Sequence, residues 1–449
     1  MKKLIFLLLP IAIFAQSFLI SNIPIPKTYI QDLDPYECTE ACMQDYLDND
    51  MIFSFLSRAD EKLENDEHDE IRVMNISILN LGSTILSSKV KIAMLLPYKK
   101  IGKYASSTTN ASFAYLITKG HPFELKSYKI ENEEEEEIQR AIELMQEDGF
   151  NYVIAPLTLK GVQSIINLGA PINFYFPTIN KKDVLTDSIY LTFGAIDYKA
   201  QSDLLVKEAV SPLIIFSDKS QTGQKLARYE EEAFKYTTVI DDSEDNETQE
   251  VGLFDVFTEE PEKEIKTKQV LNEENVVIKH SISRRTTNLE HYLKDKEEII
   301  NGSFFINTPI VKSGMIMSQL TLYDTNATNV LSTQINYDPL LLSMTQYIDR
   351  KEMIVANSIT ENNNVLIETN SLLGNDIVYD WINYTTTVGI DYFFNKITNE
   401  DRAYEIVVED EQMIYDIELL QPSLSRFIEY VSSVEDNVTI DELIEEGEE

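Results

Sequence analysis

From residue 89 onward the apolar positions fall into short unbroken runs separated by stretches of helical spacing. KVKIAMLLP (89–97), NYVIAPL (151–157) and PLIIFSDKS (212–220) are runs bounded by Pro or polar turns. Such runs predict strands buried on both faces, as in a parallel sheet. FELKSYKI (123–130), INFYFP (172–177), SIYLTFG (188–194), VVIKHSI, GSFFIN, NVLSTQI and MIVANSI read as further strands. Helical stripes lie between them. Ile138, Ile142 and Met145 form one, with Asn132 as its cap and Gly149 as its stop. Val162, Ile165 and Ile166 form another, ending at Gly169, and YKAQSDLLVKEAV and Leu226 to Phe234 read as two more. The five glutamates at 133–137 read as a solvated first turn at the positive end of a helix.

Strands alternating with helices of this length predict a parallel α/β sheet. The strands are too many for one sheet, and the pattern restarts near residue 212. The expected body is therefore two doubly wound parallel-sheet lobes over 89–432. Lobe one would take about 89–200 and 350–405, and lobe two about 205–345 and 405–432. An acidic, Pro-containing insertion at 241–264 and an acidic tail at 433–449 interrupt and end the pattern. Residues 16–88 read as a small helical segment ahead of the body, with a stripe through Ile71, Met74, Ile78 and Leu81. His68 there reads as a solvated residue of an acidic stretch.

Residues 1–15, MKKLIFLLLPIAIFA, have two lysines and an apolar stretch too short to span a bilayer. They read as a secretory signal, and the later chain shows no run long enough for a span, so a periplasmic location is expected. Cys38 and Cys42 are the only cysteines, and in an oxidising compartment they are expected to pair. Lys and Arg total 38 against 76 Asp and Glu, a net charge of −38, which excludes nucleic acid as a partner. Two Cys and four His leave little material for a metal site, and no cofactor motif is present. No G-x-S-x-G or H-E-x-x-H occurs either, so the chain reads as non-enzymatic. Trp381 reads as core, with an aromatic cleft wall as the alternative. Asn246, Asn326 and Asn437 lie in sequons with an acidic residue two positions before, which are either glycan acceptors or chance matches in an Asn-rich chain.

KIAMLLP, NYVIAPLT and LIIFSDKSQTGQKLARYEEEAF resemble three strand-and-turn segments of the type I periplasmic binding protein fold. Asp218 and Gly223 match the acidic residue and the glycine of the third segment. SFFINTPIVKSGMIMSQLTLYDTNATNVLSTQI (303–335) and YTTTVGIDYFF (384–394) are similar to the penicillin-binding-protein activator family, with Gly389, Ile390 and Asp391 matching its helix core. The chain departs from those activators in having no lipid-attachment cysteine near the signal and no long helical-repeat domain in front. It also lacks clear matches to the residues that hold an α-amino and α-carboxyl group in amino-acid receptors.

Ligands of open α/β sheets bind outside the carboxyl ends of the strands. The candidate ligand-binding residues are accordingly Ser106, Leu157, Thr158, Asp197 and Asp218. The resemblance implies that Thr158 offers a hydroxyl and a helix start to a polar or anionic ligand; the residues alone allow it to be merely a cap. Two functions are expected. One is a regulatory protein binding an envelope protein such as a penicillin-binding protein, as the activator resemblance implies. The other is a receptor closing on a small molecule. A shallow cleft would favour the first, towards which the sequence leans, and a well-formed polar cleft the second.

Overall fold

The computed structural model describes residues 30, 38–59, 63, 65–78, 89–240, 267–361 and 363–431. The expected signal, the insertion at 241–264, the acidic tail, Asn246 and Asn437 lie outside the described residues. Helices Glu40–Asp48, Ile52–Arg58 and Asp66–Ile78 form the N-terminal segment. They share a small core of Met43, Phe55, Leu56, Ala59 and Ile76. Cys38 and Cys42 are joined, with Cα atoms 5.5 Å apart. Two expectations fail here. Met74 is exposed, and Ile76 joins Ile71 at the core in its stead. His68 is buried too: its Nε2 meets Gln44 Oε1 at 2.8 Å and its ring stands edge-on to Phe55.

The body begins with β1 (Val90–Leu96), β2 (Phe123–Lys129), β3 (Tyr152–Ile154), β4 (Asn173–Phe176) and β5 (Leu191–Phe193), all parallel, in the order β2-β1-β3-β4-β5. The chain then crosses to the second lobe. There β6 (Leu213–Ser217), β9 (Val277–Ser281), β10 (Ser303–Asn307), β11 (Asn329–Ser332) and β12 (Met353–Asn357) repeat the same order, β9-β6-β10-β11-β12. A separate antiparallel pair, β7 (Tyr236–Ile240) and β8 (Thr267–Leu271), flanks the acidic insertion. After β12 the chain returns to lobe one, where the hairpin β13 (Val407–Glu409) and β14 (Gln412–Ile414) extends the first sheet through β5. It crosses once more to add β15 (Glu418–Pro422) and β16 (Phe427–Glu429), antiparallel, beside β12.

The lobe boundaries thus differ from the expected 350 and 405. MIVANSI pairs with β11 in lobe two, and residues 407–414 pair in lobe one. Both strands are buried or paired by their neighbours in space, which a linear pattern does not reveal. Each sheet is covered on both faces. In lobe one, helices Tyr104–Thr118 and Trp381–Thr398 cover one face, and Glu135–Glu147 and Leu159–Leu168 the other. In lobe two, Ile310–Leu322 lies on one face, and Tyr198–Val206 and Gln221–Lys235 on the other. Burial on both faces explains the continuous apolar runs.

Two of the chain crossings are fastened by buried amides. Gln201 Nε2 donates to Ser358 Oγ at 2.7 Å and Gln334 N to Gln201 Oε1 at 2.9 Å. Ser358 N donates to Gln334 Oε1 at 2.6 Å, and Gln334 Nε2 to Asn357 Oδ1 at 3.1 Å. This network ties both connections to the ends of β11 and β12 in lobe two.

Candidate functional site

The carboxyl ends of both sheets face one cleft of about 940 Å³. Lobe one contributes Pro156–Leu159 after β3, Thr178–Asn180 and Lys182–Asp183 after β4, and Ala195–Lys199 after β5. Lys100, Ile101 and Tyr104 come from the segment after β1. Lobe two contributes Gln221, Thr222, Lys225, Leu226 and Tyr229 from the first turns of a helix. Trp381 and Ile382, at the start of the helix Trp381–Thr398, complete the lining. The position follows from topology: in a 2-1-3-4-5 sheet the crevice opens where neighbouring connections leave in opposite directions, between the first and third strands.

Of the five candidates, Leu157, Thr158 and Asp197 line this cleft. Leu157 is buried in the lobe-one core, and its carbonyl accepts from Thr178 Oγ1 at 2.8 Å. Thr158 is the residue before helix Leu159–Leu168, but its hydroxyl does not cap that helix. Instead its backbone N–H donates to Glu133 Oε1 at 2.7 Å and its hydroxyl to Glu133 Oε2. Asp197 caps helix Tyr198–Val206, accepting from Lys199 N and Ala200 N at 3.0 Å, and also meets Lys182 Nζ. Ser106 and Asp218 lie outside the lining. Ser106 Oγ donates to Lys103 O at 2.9 Å within its own helix. Asp218 Oδ1 accepts from Ser220 N at 3.0 Å and from its hydroxyl at 2.5 Å, organising the turn into helix Gln221–Lys235. A Cβ on Gly223 would come 2.4 Å from that oxygen, which is why glycine stands there.

Glu133 is the surprise of the glutamate run. Glu134 to Glu136 are exposed, as a solvated turn should be, but Glu133 is 2% exposed. Its carbonyl accepts from Ser164 Oγ at 2.9 Å, which ties it to helix Leu159–Leu168. A Cβ on Gly161 would stand 2.9 Å from Glu133 Oε1, so that glycine makes room for the carboxylate. Nothing in the run of five distinguishes the one glutamate that turns inward.

The aromatic side chains of the cleft are half-buried. Tyr198 and Trp381 meet edge to face with ring centroids 6.0 Å apart. Burial raises the phenol pKa of Tyr104 and of Tyr198 above the ordinary tyrosine value. From lobe two, Lys225 lies over the Tyr229 ring, 5.5 Å from its centroid, and its Nζ reaches Asp183 Oδ1 of lobe one at 2.5 Å. Among the described residues, no group of three or more His, Cys, Asp or Glu converges as metal ligands, and no helix is long and apolar enough to cross a membrane.

This architecture is the type I periplasmic binding protein fold. The chain is similar to a protein assigned to branched-chain amino acid ABC transport from Rhodospirillum rubrum, with a TM-score of 0.52 and 10% identity over 76% of this chain and 100% of the other. Similar solved structures also include the branched-chain amino acid substrate-binding protein LivJ from Streptococcus pneumoniae in complex with isoleucine, with a TM-score of 0.46 and 9% identity over 76% of this chain and 98% of the other. LpoA from Haemophilus influenzae has a TM-score of 0.48 and 8% identity over 85% of this chain and 68% of the other. Identities this low are a likeness of fold. No protein-family model matches the sequence, and no curated protein matches it.

Proposed function

We propose that this chain is a non-enzymatic periplasmic binding protein that closes its two lobes on a small molecule. The observation that supports this reading is the interlobe cleft itself. It is roomy, it lies at the strand ends of both sheets, and it is lined by aromatic rings with hydroxyl and amide groups among them. Sites of this size with a few convergent polar groups suit small ligands. The chain connections between lobes, fastened by the Gln201–Gln334–Ser358 network, would serve as the hinge. Thr158 and Asp197 would contribute by shaping the loops they cap or anchor. Ser106 and Asp218 would act only indirectly.

The regulatory reading, with a penicillin-binding protein or another envelope protein as partner, rests on the resemblance of 303–335 and 384–394. One preparation separates the two readings. The protein is isolated from its native envelope after mild cross-linking, and native mass spectrometry records both bound small molecules and cross-linked proteins. A stoichiometric small molecule, lost when Trp381 is replaced by Ala, supports the receptor. A cross-linked envelope protein retained by that same variant, with no small molecule found, overturns it.

A further inference from the structure

The lining of the cleft carries four lysines and two aspartates, in a chain where acids outnumber bases two to one. At first sight this is a site for an anion. The contacts say otherwise. Lys182 meets Asp197, Lys225 meets Asp183 at 2.5 Å, and Lys199 meets Asp203 at 2.6 Å. Three of the four ammonium groups are therefore already compensated inside the protein, and Lys100 is exposed to solvent.

Several helices start at the cleft, where the dipole and backbone N–H groups favour negative charge. Tyr198–Val206 and Trp381–Thr398 are capped by Asp197 and Asp380, Gln221–Lys235 is capped by Ser220, and another is Leu159–Leu168. There the protein supplies its own carboxylate. Glu133 takes both polar groups that Thr158 could offer, and the cavity beside Gly161 is shaped to hold it. A ligand carboxylate reaching Thr158 from the cleft would find its donors taken. It would also lie beside the buried Glu133 carboxyl, with no donor left between the two. What stays available is the aromatic surface of Tyr104, Tyr198, Trp381 and Tyr229, with Thr222 beside it; Thr178 already donates to Leu157 O, and Asn180 is held by Lys182 N and Ala195 O.

Building on the cleft-binding reading, we infer that Glu133 is the specificity-determining residue of this cleft: it fills the helix start from within, so that the site rejects carboxylate-bearing ligands and takes an uncharged polar molecule with a flat apolar face. Sugars and nucleosides share that chemistry. Both present a face that packs on aromatic rings and polar edges for hydroxyl and amide groups.

Trp381 is the only tryptophan of the chain and lines the cleft, so its fluorescence reports occupancy directly. The full chain is titrated in three arms: neutral mono- and disaccharides, nucleosides, and free amino acids as carboxylate probes. The expected result is a saturable fluorescence change in one of the first two arms, which tells sugar from base, and none in the third. Glu133→Ala should then bind amino-acid carboxylates at least about tenfold more tightly than the parent chain, the size of a partly buried anion–dipole contact. Glu133→Gln keeps the shape and should move in the same direction, so a folding defect in the alanine variant does not decide the matter. Saturable binding of amino acids by the parent chain, unchanged in Glu133→Gln, overturns the role of Glu133 while leaving the cleft as a ligand site. No change in any arm overturns the cleft reading, and this inference with it.

Discussion

Asp183 and Lys225 join the two lobes across the mouth of the cleft, Oδ1 to Nζ, at 2.5 Å. One residue follows β4 of lobe one and the other lies on the first turns of a lobe-two helix. Burial works against the Lys225 charge, yet its hydrogen bonds to Asp183 and Tyr229 hold its pKa above the ordinary lysine value. The side chains are 28% and 39% exposed, so the pair contributes less than about 1 kcal/mol to folding. Its effect falls on lobe closure. Lys225→Gln should leave the melting temperature nearly unchanged and enlarge the radius of gyration in small-angle scattering. Salt at 1 M, where screening acts within about 3 Å, should expand the parent chain and not the variant. Identical scattering from the two proteins at low salt would show that the pair does not hold the lobes.

A second carboxylate is buried with no cation beside it. Glu230 is fully buried in lobe two, with both oxygens against Asn307 Nδ2 at 2.8 and 2.6 Å. Burial pushes its pKa well above the ordinary value of 4.5, and the Asn307 contact offsets only part of this. A carboxyl that titrates higher in the folded than in the unfolded chain binds extra proton on folding between those two values. Stability from this group is therefore greatest below about 4.5 and falls as pH rises through the raised value, by up to about 1.4 kcal/mol per pH unit. Glu230→Gln should flatten that decline. Its amide can also donate to Asn307 Oδ1, which has no hydrogen-bond partner. Urea titrations at pH 4.5 and pH 8 test this: the variant should gain on the parent at pH 8. Equal differences at both pH values would mean that Glu230 is not titrating in the folded protein.

Asp391 fastens the last part of lobe one to the rest. It is fully buried and accepts from Tyr115 Oη at 2.7 Å, Ala403 N at 2.6 Å and Arg402 Nε at 3.1 Å. Removing one partner of a buried pair leaves the other uncompensated, so Asp391→Ala should cost about 3–5 kcal/mol. Tyr115→Phe removes one donor and should cost about 1 kcal/mol. Urea unfolding of both variants gives the comparison. A loss below about 1 kcal/mol for Asp391→Ala would show that water or a neighbour replaces the carboxylate.

The same residue marks what the sequence could reveal. The parallel strands were legible because burial on both faces writes itself as unbroken apolar runs, as in β1 and β6. The positions of the site loops followed from the strand ends, which is how Leu157, Thr158 and Asp197 were found. Side-chain direction was not legible. Whether Glu133 or Glu134 turns inward depends on a space left by Gly161, 28 residues away in sequence. Asp183 and Lys225 come from different lobes, and no local pattern links them. The strands β12 and β13–β14 were placed in the wrong lobes because the crossings are set by pairing, not by periodicity. The Gly389–Asp391 match has a packing role: Asp391 anchors a loop, and Gly389 admits a ring.

That ring is Tyr175. Tyr175 is fully buried in β4, and its hydroxyl donates to Thr385 O at 2.8 Å. A Cβ at Gly389 would lie 2.2 Å from its Cε1, and one at Gly194 would lie 2.0 Å from its hydroxyl. Both distances are far inside contact, and the ring is boxed in by Phe393 on the same helix as Gly389. Gly389→Ala must therefore push the helix off the sheet or force the ring from its rotamer, at a cost of about 1–3 kcal/mol. Tyr175→Leu alone should cost about 3 kcal/mol through the cavity and the lost hydrogen bond. In the double variant the alanine methyl enters space the ring has vacated, so the two losses should fall short of their sum by about 1 kcal/mol or more. Chemical unfolding of the four proteins completes the cycle. Strict additivity would mean that Gly389 is set by something other than Tyr175.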